Sequence, residues 1–144
     1  MGTIQRGNAA EAAVLHKLIS VDIPVLVPFG GGLAFDLGAV VPPDGDVLRI
    51  QVKSGRIRGA CIAFNSCSTD HGRGRQSYEN RADLIAVHVR ESESVYMVPV
   101  SECPSRLGLL RLRPTRNNQR RRIRFAADYS FEEWIDRLEL VGLG

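Results

Sequence analysis

Phe35-Asp36-Leu37-Gly38-Ala39-Val40-Val41-Pro42-Pro43-Asp44-Gly45-Asp46-Val47-Leu48-Arg49-Ile50-Gln51-Val52-Lys53-Ser54 is the stretch from which the rest of the chain can be read. Two apolar runs, Phe35 to Val41 and Val47 to Ser54, flank a turn rich in Pro, Asp and Gly, which predicts an antiparallel hairpin. In a strand the side chains at i and i+2 share a face, so Gln51 and Lys53 point the same way, about 6.5 to 7 Å apart. Ile50 and Val52 then turn to the core. Antiparallel pairing brings Asp36 to the part of the second strand that holds Gln51 and Lys53. The hairpin by itself gathers an acid, an amide and an ammonium.

Lys53 carries extra weight because the chain has 19 Lys plus Arg, of which the only lysines are Lys17 and Lys53. A lysine kept inside an apolar strand of an arginine-using protein points to a need for a compact, titratable ammonium. The alternative is an edge strand on which Lys53 blocks sheet-to-sheet pairing.

With 144 residues the chain reads as one domain, 1–144, large enough to bury a core without disulfide or metal staples. Hydrophobic residues make up 44% and charged residues 24%, which places the chain among globular rather than disordered proteins. No apolar run is long enough to cross a membrane, and the start, MGTIQRGNAAEAA, lacks the apolar core of a signal peptide, so a cytoplasmic location is expected. Cys61, Cys67 and Cys103 show no CxxC spacing, and His16, His71 and His88 are scattered. A divalent ion would therefore take oxygen ligands, which suits magnesium better than zinc.

The formal net charge is +3, and its distribution says more than its size. From Cys103 to Ala127 there is no acidic residue, while Arg106, Arg111, Arg113, Arg116, Arg120, Arg121, Arg122 and Arg124 fall in that span. Such a segment repels itself unless it meets an anion, and nucleic acid is the natural partner; a solvated basic face is the alternative.

Along the chain, Asn8 to Ser20 has helical spacing in Ala12, Leu15 and Ile19. Asn8 is the expected N-cap, with Glu11 as its capping-box partner; a carboxylate there can also lean toward the hairpin site, and spacing does not separate the two uses. Ile23 to Phe29 reads as a short buried strand, ended by Gly30-Gly31-Gly32. Those glycines are a turn or a close approach of backbone to DNA, not a P-loop, since no GK[ST] follows. A strand Ala60 to Phe64 precedes a polar stretch, Asn65 to Gln76, expected to be a mobile loop. Arg56, Arg58, Arg73 and Arg75 flank the hairpin site and suit phosphate contacts. Ala82 to Val89 and Val95 to Val100 read as core strands, and Leu109 to Leu112 as a short one. Ser130-Phe131-Glu132-Glu133 opens a last helix through Leu140, docked by Trp134 and Leu138. No internal repeat or second domain is visible.

Taken in order, these residues resemble the PD-(D/E)xK nuclease superfamily, and within it the small branch of group I intron-encoded homing endonucleases. The likeness rests on Glu11, Phe35-Asp36-Leu37, Gln51-Val52-Lys53, Gln76-Ser77-Tyr78 before Asp83-Leu84-Ile85-Ala86-Val87, Val95-Tyr96-Met97-Val98-Pro99-Val100, and Pro114-Thr115-Arg116-Asn117-Asn118-Gln119. The resemblance implies an α/β, restriction-endonuclease-like fold with a mixed central sheet flanked by helices. It also implies magnesium-dependent hydrolysis of DNA phosphodiester bonds, with manganese able to substitute. Asp36, Gln51, Lys53 and Glu11 match the catalytic positions. Asp36, Gln51, the Val52 carbonyl and Glu11 match the metal-holding ones. Arg56, Arg58, Arg73, Arg75, Arg116, Arg120, Arg121 and Arg122 are the expected nucleic-acid contacts.

Two residues depart from the family pattern. Phe35 replaces the proline, a mild change, and Gln51 replaces a carboxylate, which removes a negative charge from the metal shell and should weaken metal binding. A double-strand cut needs two sites, so the implied partners are double-stranded DNA and further copies of the chain, as a homodimer or homotetramer. No membrane and no small-molecule cofactor is implied. Other readings are a structure-selective nuclease similar to Holliday junction resolvases, and a DNA-binding domain that keeps the fold without cutting.

Overall fold

The computed structural model describes residues 1–70, 74–104 and 106–143. Helix α1 (Thr3–Ser20) is followed by strands β1 (Val25–Leu26), β2 (Leu37–Val41) and β3 (Asp46–Arg58). Then come β4 (Cys61–Asn65), the pair β5 (Cys67–Asp70) and β6 (Gly74–Ser77), β7 (Leu84–Val89), β8 (Ser94–Pro99) and β9 (Leu107–Arg111). Helix α2 (Phe131–Leu143) closes the described chain.

The predicted hairpin is present. Strands β2 and β3 pair antiparallel, with Leu37 opposite Ile50 and Val41 opposite Asp46. Strand β3 also pairs in parallel with β7, from Ile50 opposite Leu84 to Gly55 opposite Val89. Ile50 thus has a partner in both neighbours, so β2 and β7 lie on opposite edges of β3. Strand β3 is interior at Ile50, whereas at Lys53 it pairs with β7 alone, so the edge-strand alternative for Lys53 stands beside the functional one. Beyond Gly55 the same strand joins β4 through Arg56, Ile57 and Arg58, and β4 pairs with β9. Strand β7 pairs antiparallel with β8, which makes the sheet mixed, as the family resemblance implies.

Both faces of β7 are covered, which is why Leu84 to Val89 is continuously apolar rather than alternating. Leu84 and Ala86 join Ile50, Val52, Ala10, Val14 and Leu18 in a core beneath α1. Ile85, Val87 and Val89 join Ile62, Phe64, Tyr78 and Leu110 in a second core. Gly55 marks the crossing of β3 over its neighbours: a Cβ there would stand 2.6 Å from Val87 Cγ1 and 3.0 Å from Ile62 Cγ2.

Several expectations need correction. Helix α1 begins at Thr3 with Gly2 at the cap position and no side-chain cap, so Asn8 lies inside the helix. An N-cap has non-helical backbone, and the Asn8–Glu11 capping box is therefore absent. The strand expected over Ile23 to Phe29 shrinks to Val25–Leu26, because Pro24 and Pro28 on either side cannot donate to a ladder. Nor is it buried: Leu26 is 53% and Phe29 105% exposed. The stretch expected to be a loop from Asn65 to Gln76 instead holds an antiparallel ribbon, with Cys67 opposite Ser77 and Asp70 opposite Gly74. Short polar residues disguise its two strands in sequence. The last helix starts as read, with the Glu133 amide donating to Ser130 Oγ at 3.1 Å, and Trp134 and Leu138 pack on the α1 core.

Candidate functional site

Strand β2 stops at Leu37, while β4 joins β3 only from Arg56. One side of β3 around Val52 and Lys53 is thus left without a neighbouring strand. Asp36 fills that gap. It sits just before β2 rather than on it, its amide donating to the Ile50 carbonyl at 2.8 Å. Its Oδ2 accepts a hydrogen bond from the Val52 amide at 2.9 Å. A side-chain carboxylate thereby does what a backbone carbonyl would do in a longer strand, and Asp36 is fixed beside the residue between Gln51 and Lys53.

The pleat of β3 does the rest. Ile50 and Val52 are buried beneath α1, and Gln51 and Lys53 between and after them are half-buried on the other face. Gln51 Nε2 donates to the Val52 carbonyl at 3.3 Å, so the amide is drawn to the same point of the strand. The Lys53 ammonium stands over the ring of Tyr78, 5.2 Å from its centroid. Tyr78 itself is 3% exposed and belongs to the second core.

Glu11 reaches this region from α1, whose buried face of Ala10, Val14 and Leu18 packs on Ile50 and Val52. Burial raises the Glu11 carboxyl above its ordinary value, and the negative charge of Asp36 raises it further. A cation close to both would offset the Asp36 charge that acts on Glu11.

The ladder that carries the site is pinned below it. Asp83, at the head of β7, accepts from the Arg49 amide at 2.7 Å and from Arg49 Nε at 3.2 Å through Oδ2, and from Arg49 Nη2 at 3.3 Å through Oδ1. Burial alone would lift the Asp83 carboxyl, but the Arg49 side chain, its amide and its charge outweigh that and hold it below the ordinary value.

Arg56 and Arg58 are exposed at the end of β3, and Arg116, Arg120, Arg121 and Arg122 are exposed in the basic segment. Arg120 lies over the Phe125 ring, 4.5 Å from its centroid, which presents its guanidinium in a fixed place. Arg73 lies outside the described residues, and of Arg75 only the backbone, in β6, is described. Arg124 belongs to the fold rather than to an open surface: it is half-buried and its carbonyl accepts from the Arg111 amide at 2.8 Å.

Sequence reasoning missed two things here. Tyr78 was visible only as part of a motif, because its approach to Lys53 depends on how the β5–β6 ribbon returns to the core. The Arg49–Asp83 clamp was also missed; its signal is the lone acid that precedes the apolar run of β7. Among the described residues, no group of three or more His, Cys, Asp or Glu is placed to hold a metal. Any ion at this site would rely on the two carboxylates together with the Gln51 amide oxygen and backbone.

Comparison with known proteins is consistent with this geometry. The sequence model of a family described as PD-(D/E)XK endonuclease matches residues 1–132. Among solved structures, the bacterial homing endonuclease I-Ssp6803I is similar, with a TM-score of 0.74 over 99% of this chain and 97% of that one. Sequence identity is 24%, so this likeness speaks for the fold. Among curated proteins, none matches.

Proposed function

Because this chain belongs to the PD-(D/E)XK endonuclease family and is a nuclease, we propose that it cuts duplex DNA at selected sites with the help of magnesium. Manganese would substitute, and the working form would be a symmetric dimer or tetramer, since each strand of a duplex needs its own active site. The observation that carries the reading is the bond from the Val52 amide to Asp36, which holds the carboxylate against the strand of Gln51 and Lys53.

The donors present suit a hard cation. Asp36 keeps Oδ1 after Oδ2 has taken the Val52 amide, and Gln51 Oε1, the Val52 carbonyl and Glu11 add further oxygens. Two acids and a neutral amide make a site of modest charge, so the DNA phosphate is needed to complete it. A divalent ion held by these oxygens would supply polarisation of the phosphoryl oxygen and a more acidic water.

The chain's own residues supply the remainder. Asp36 and Glu11 provide the negative charge that recruits the cation; burial first, and the Asp36 charge second, raise the Glu11 carboxyl. Lys53 orients the attacking water or offsets charge that builds on the phosphorane oxygens. Arg56 and Arg58, two and four positions past Ser54, are exposed on the same strand and would meet backbone phosphates beside the cut.

The test is incubation of the purified protein with supercoiled plasmid, with and without Mg²⁺ or Mn²⁺. Metal-dependent cutting that Asp36→Ala and Lys53→Ala both abolish supports the proposal. Binding without cutting at any metal concentration supports instead a silent DNA-binding domain, a reading that Gln51 in place of an acid favours. Preference for four-way junctions over duplex would identify a resolvase.

A further inference from the structure

We infer that Tyr78 is a positioning residue for Lys53, holding the ammonium over its ring so that it meets the scissile phosphate in one orientation. The inference rests on the nuclease reading above, which gives Lys53 its role in cleavage.

Three observations carry it. The ammonium lies 5.2 Å from the ring centroid, inside the distance at which a cation is attracted to an aromatic face. Among the described ion pairs none includes Lys53, whereas Lys17 has Glu132 at 3.2 Å in addition to the Phe131 ring at 5.6 Å; the Tyr78 ring is the contact the described structure gives the Lys53 charge. Tyr78 is itself held still. Its carbonyl accepts from the Arg81 amide at 2.8 Å and the Ala82 amide at 3.0 Å. Arg81 Nη1 reaches back to Gln76 Oε1 at 3.1 Å and to the Ser77 carbonyl at 3.3 Å.

The chemistry explains why an aromatic ring suits this place. A carboxylate partner would bind the ammonium more tightly, but it would add negative charge where a phosphate must enter and would compete for the lysine. A ring attracts the cation through its quadrupole and carries no net charge, so it restrains Lys53 without repelling DNA. It also leaves the three N–H donors of the ammonium free to turn toward oxygen.

The composition of the chain makes the test clean. Lys17 and Lys53 are its only lysines, so protein labelled at lysine with ¹³C and ¹⁵N shows two side chains, one of them a control. The series is wild type, Tyr78→Phe, Tyr78→trifluorophenylalanine and Tyr78→Leu. Fluorination keeps the shape of the ring and drains its face of negative charge, which covers the case in which Tyr78→Leu fails to fold. The Lys53 methylene signals should be shifted upfield in wild type and in Tyr78→Phe, with Lys17 unchanged throughout. In Tyr78→Leu the Lys53 signals should return to ordinary positions.

In plasmid cutting, Tyr78→Phe should match wild type. The fluorinated and Leu variants should cut about 5- to 30-fold more slowly at saturating metal, with DNA affinity unchanged. Equal rates across the folded variants, or Lys53 signals indifferent to Tyr78→Leu, overturn the inference. Should wild type fail to cut at all, the nuclease reading is what fails, and the lysine spectra still decide whether Tyr78 holds Lys53.

Discussion

Asp36 and Val52 are joined by a single hydrogen bond of 2.9 Å that ends one strand and fixes the carboxylate beside Gln51 and Lys53. The same carboxylate satisfies a backbone donor and offers charge to a cation, so the two uses can be separated by substitution. Asp36→Asn keeps an oxygen for the Val52 amide and removes the charge. It should change stability by less than about 1 kcal/mol while cutting falls by about 100-fold or more. Asp36→Ala loses both, and should in addition cost about 1 to 3 kcal/mol. Urea unfolding beside plasmid cutting reads the two effects.

Gln51→Glu restores a carboxylate to the position where the family usually has one. The apparent affinity for Mg²⁺ in cutting assays should tighten by about 10-fold or more, because ligand charge sets affinity for hard cations. Metal titrations of the rate at fixed DNA check this, and an unchanged midpoint would mean that residue 51 does not face the ion.

The Arg49–Asp83 clamp predicts a pH dependence of stability. The folded-state pKa of Asp83 lies below the ordinary value of 3.8, so its contribution is fully present above that value and is lost as pH falls through the lowered one. Asp83→Asn should cost about 1 to 2 kcal/mol near neutral pH, the upper range for such bonds being reduced because the pair is about one-third exposed. Thermal melts of the two proteins should converge as the solution is made acidic.

Gly55→Ala tests the strand crossing behind the site. A methyl group 2.6 Å from Val87 Cγ1 cannot be accommodated without displacement, and the substitution should cost about 1 to 3 kcal/mol. A crystal structure of the variant should show β3 and β7 pushed apart at that point.

The basic segment should appear in the salt dependence of DNA binding. If about six arginines meet phosphates, the slope of log K against log salt is near −5, and replacing Arg120, Arg121 and Arg122 by Ala should lessen it by about 3. Fluorescence anisotropy over a range of NaCl measures both, and a slope unmoved by the triple substitution removes those residues from the interface.

How much of this was legible in the sequence varies by residue. Gln51 and Lys53 could be assigned a common face because alternation along a strand is a property of the backbone, and β3 obeys it. The hairpin followed from the Pro-Asp-Gly turn between apolar runs. The start of α1 was not legible, since a favourable cap at Asn8 competes with simple continuation of the helix and the latter won. The β5–β6 ribbon was hidden for another reason: its residues are mostly polar, so hydrophobic alternation gives no signal there. Glu11 was left between two uses by its spacing. The structure removes the capping box, and burial together with the Asp36 charge raises the Glu11 carboxyl.

The parallel pairing of β3 with β7 has a bearing on when the site comes into being. Arg49 and Asp83 are 34 positions apart, and contacts at such separation must wait for the intervening chain to close its loop. The Asp36 hairpin can form early, but it gains its rigid backing only when β7 arrives, and Tyr78 comes with the same segment. If Asp36, Gln51 and Lys53 form the cutting centre as proposed, a nascent chain still holding β7 inside the ribosome lacks that centre in its completed form.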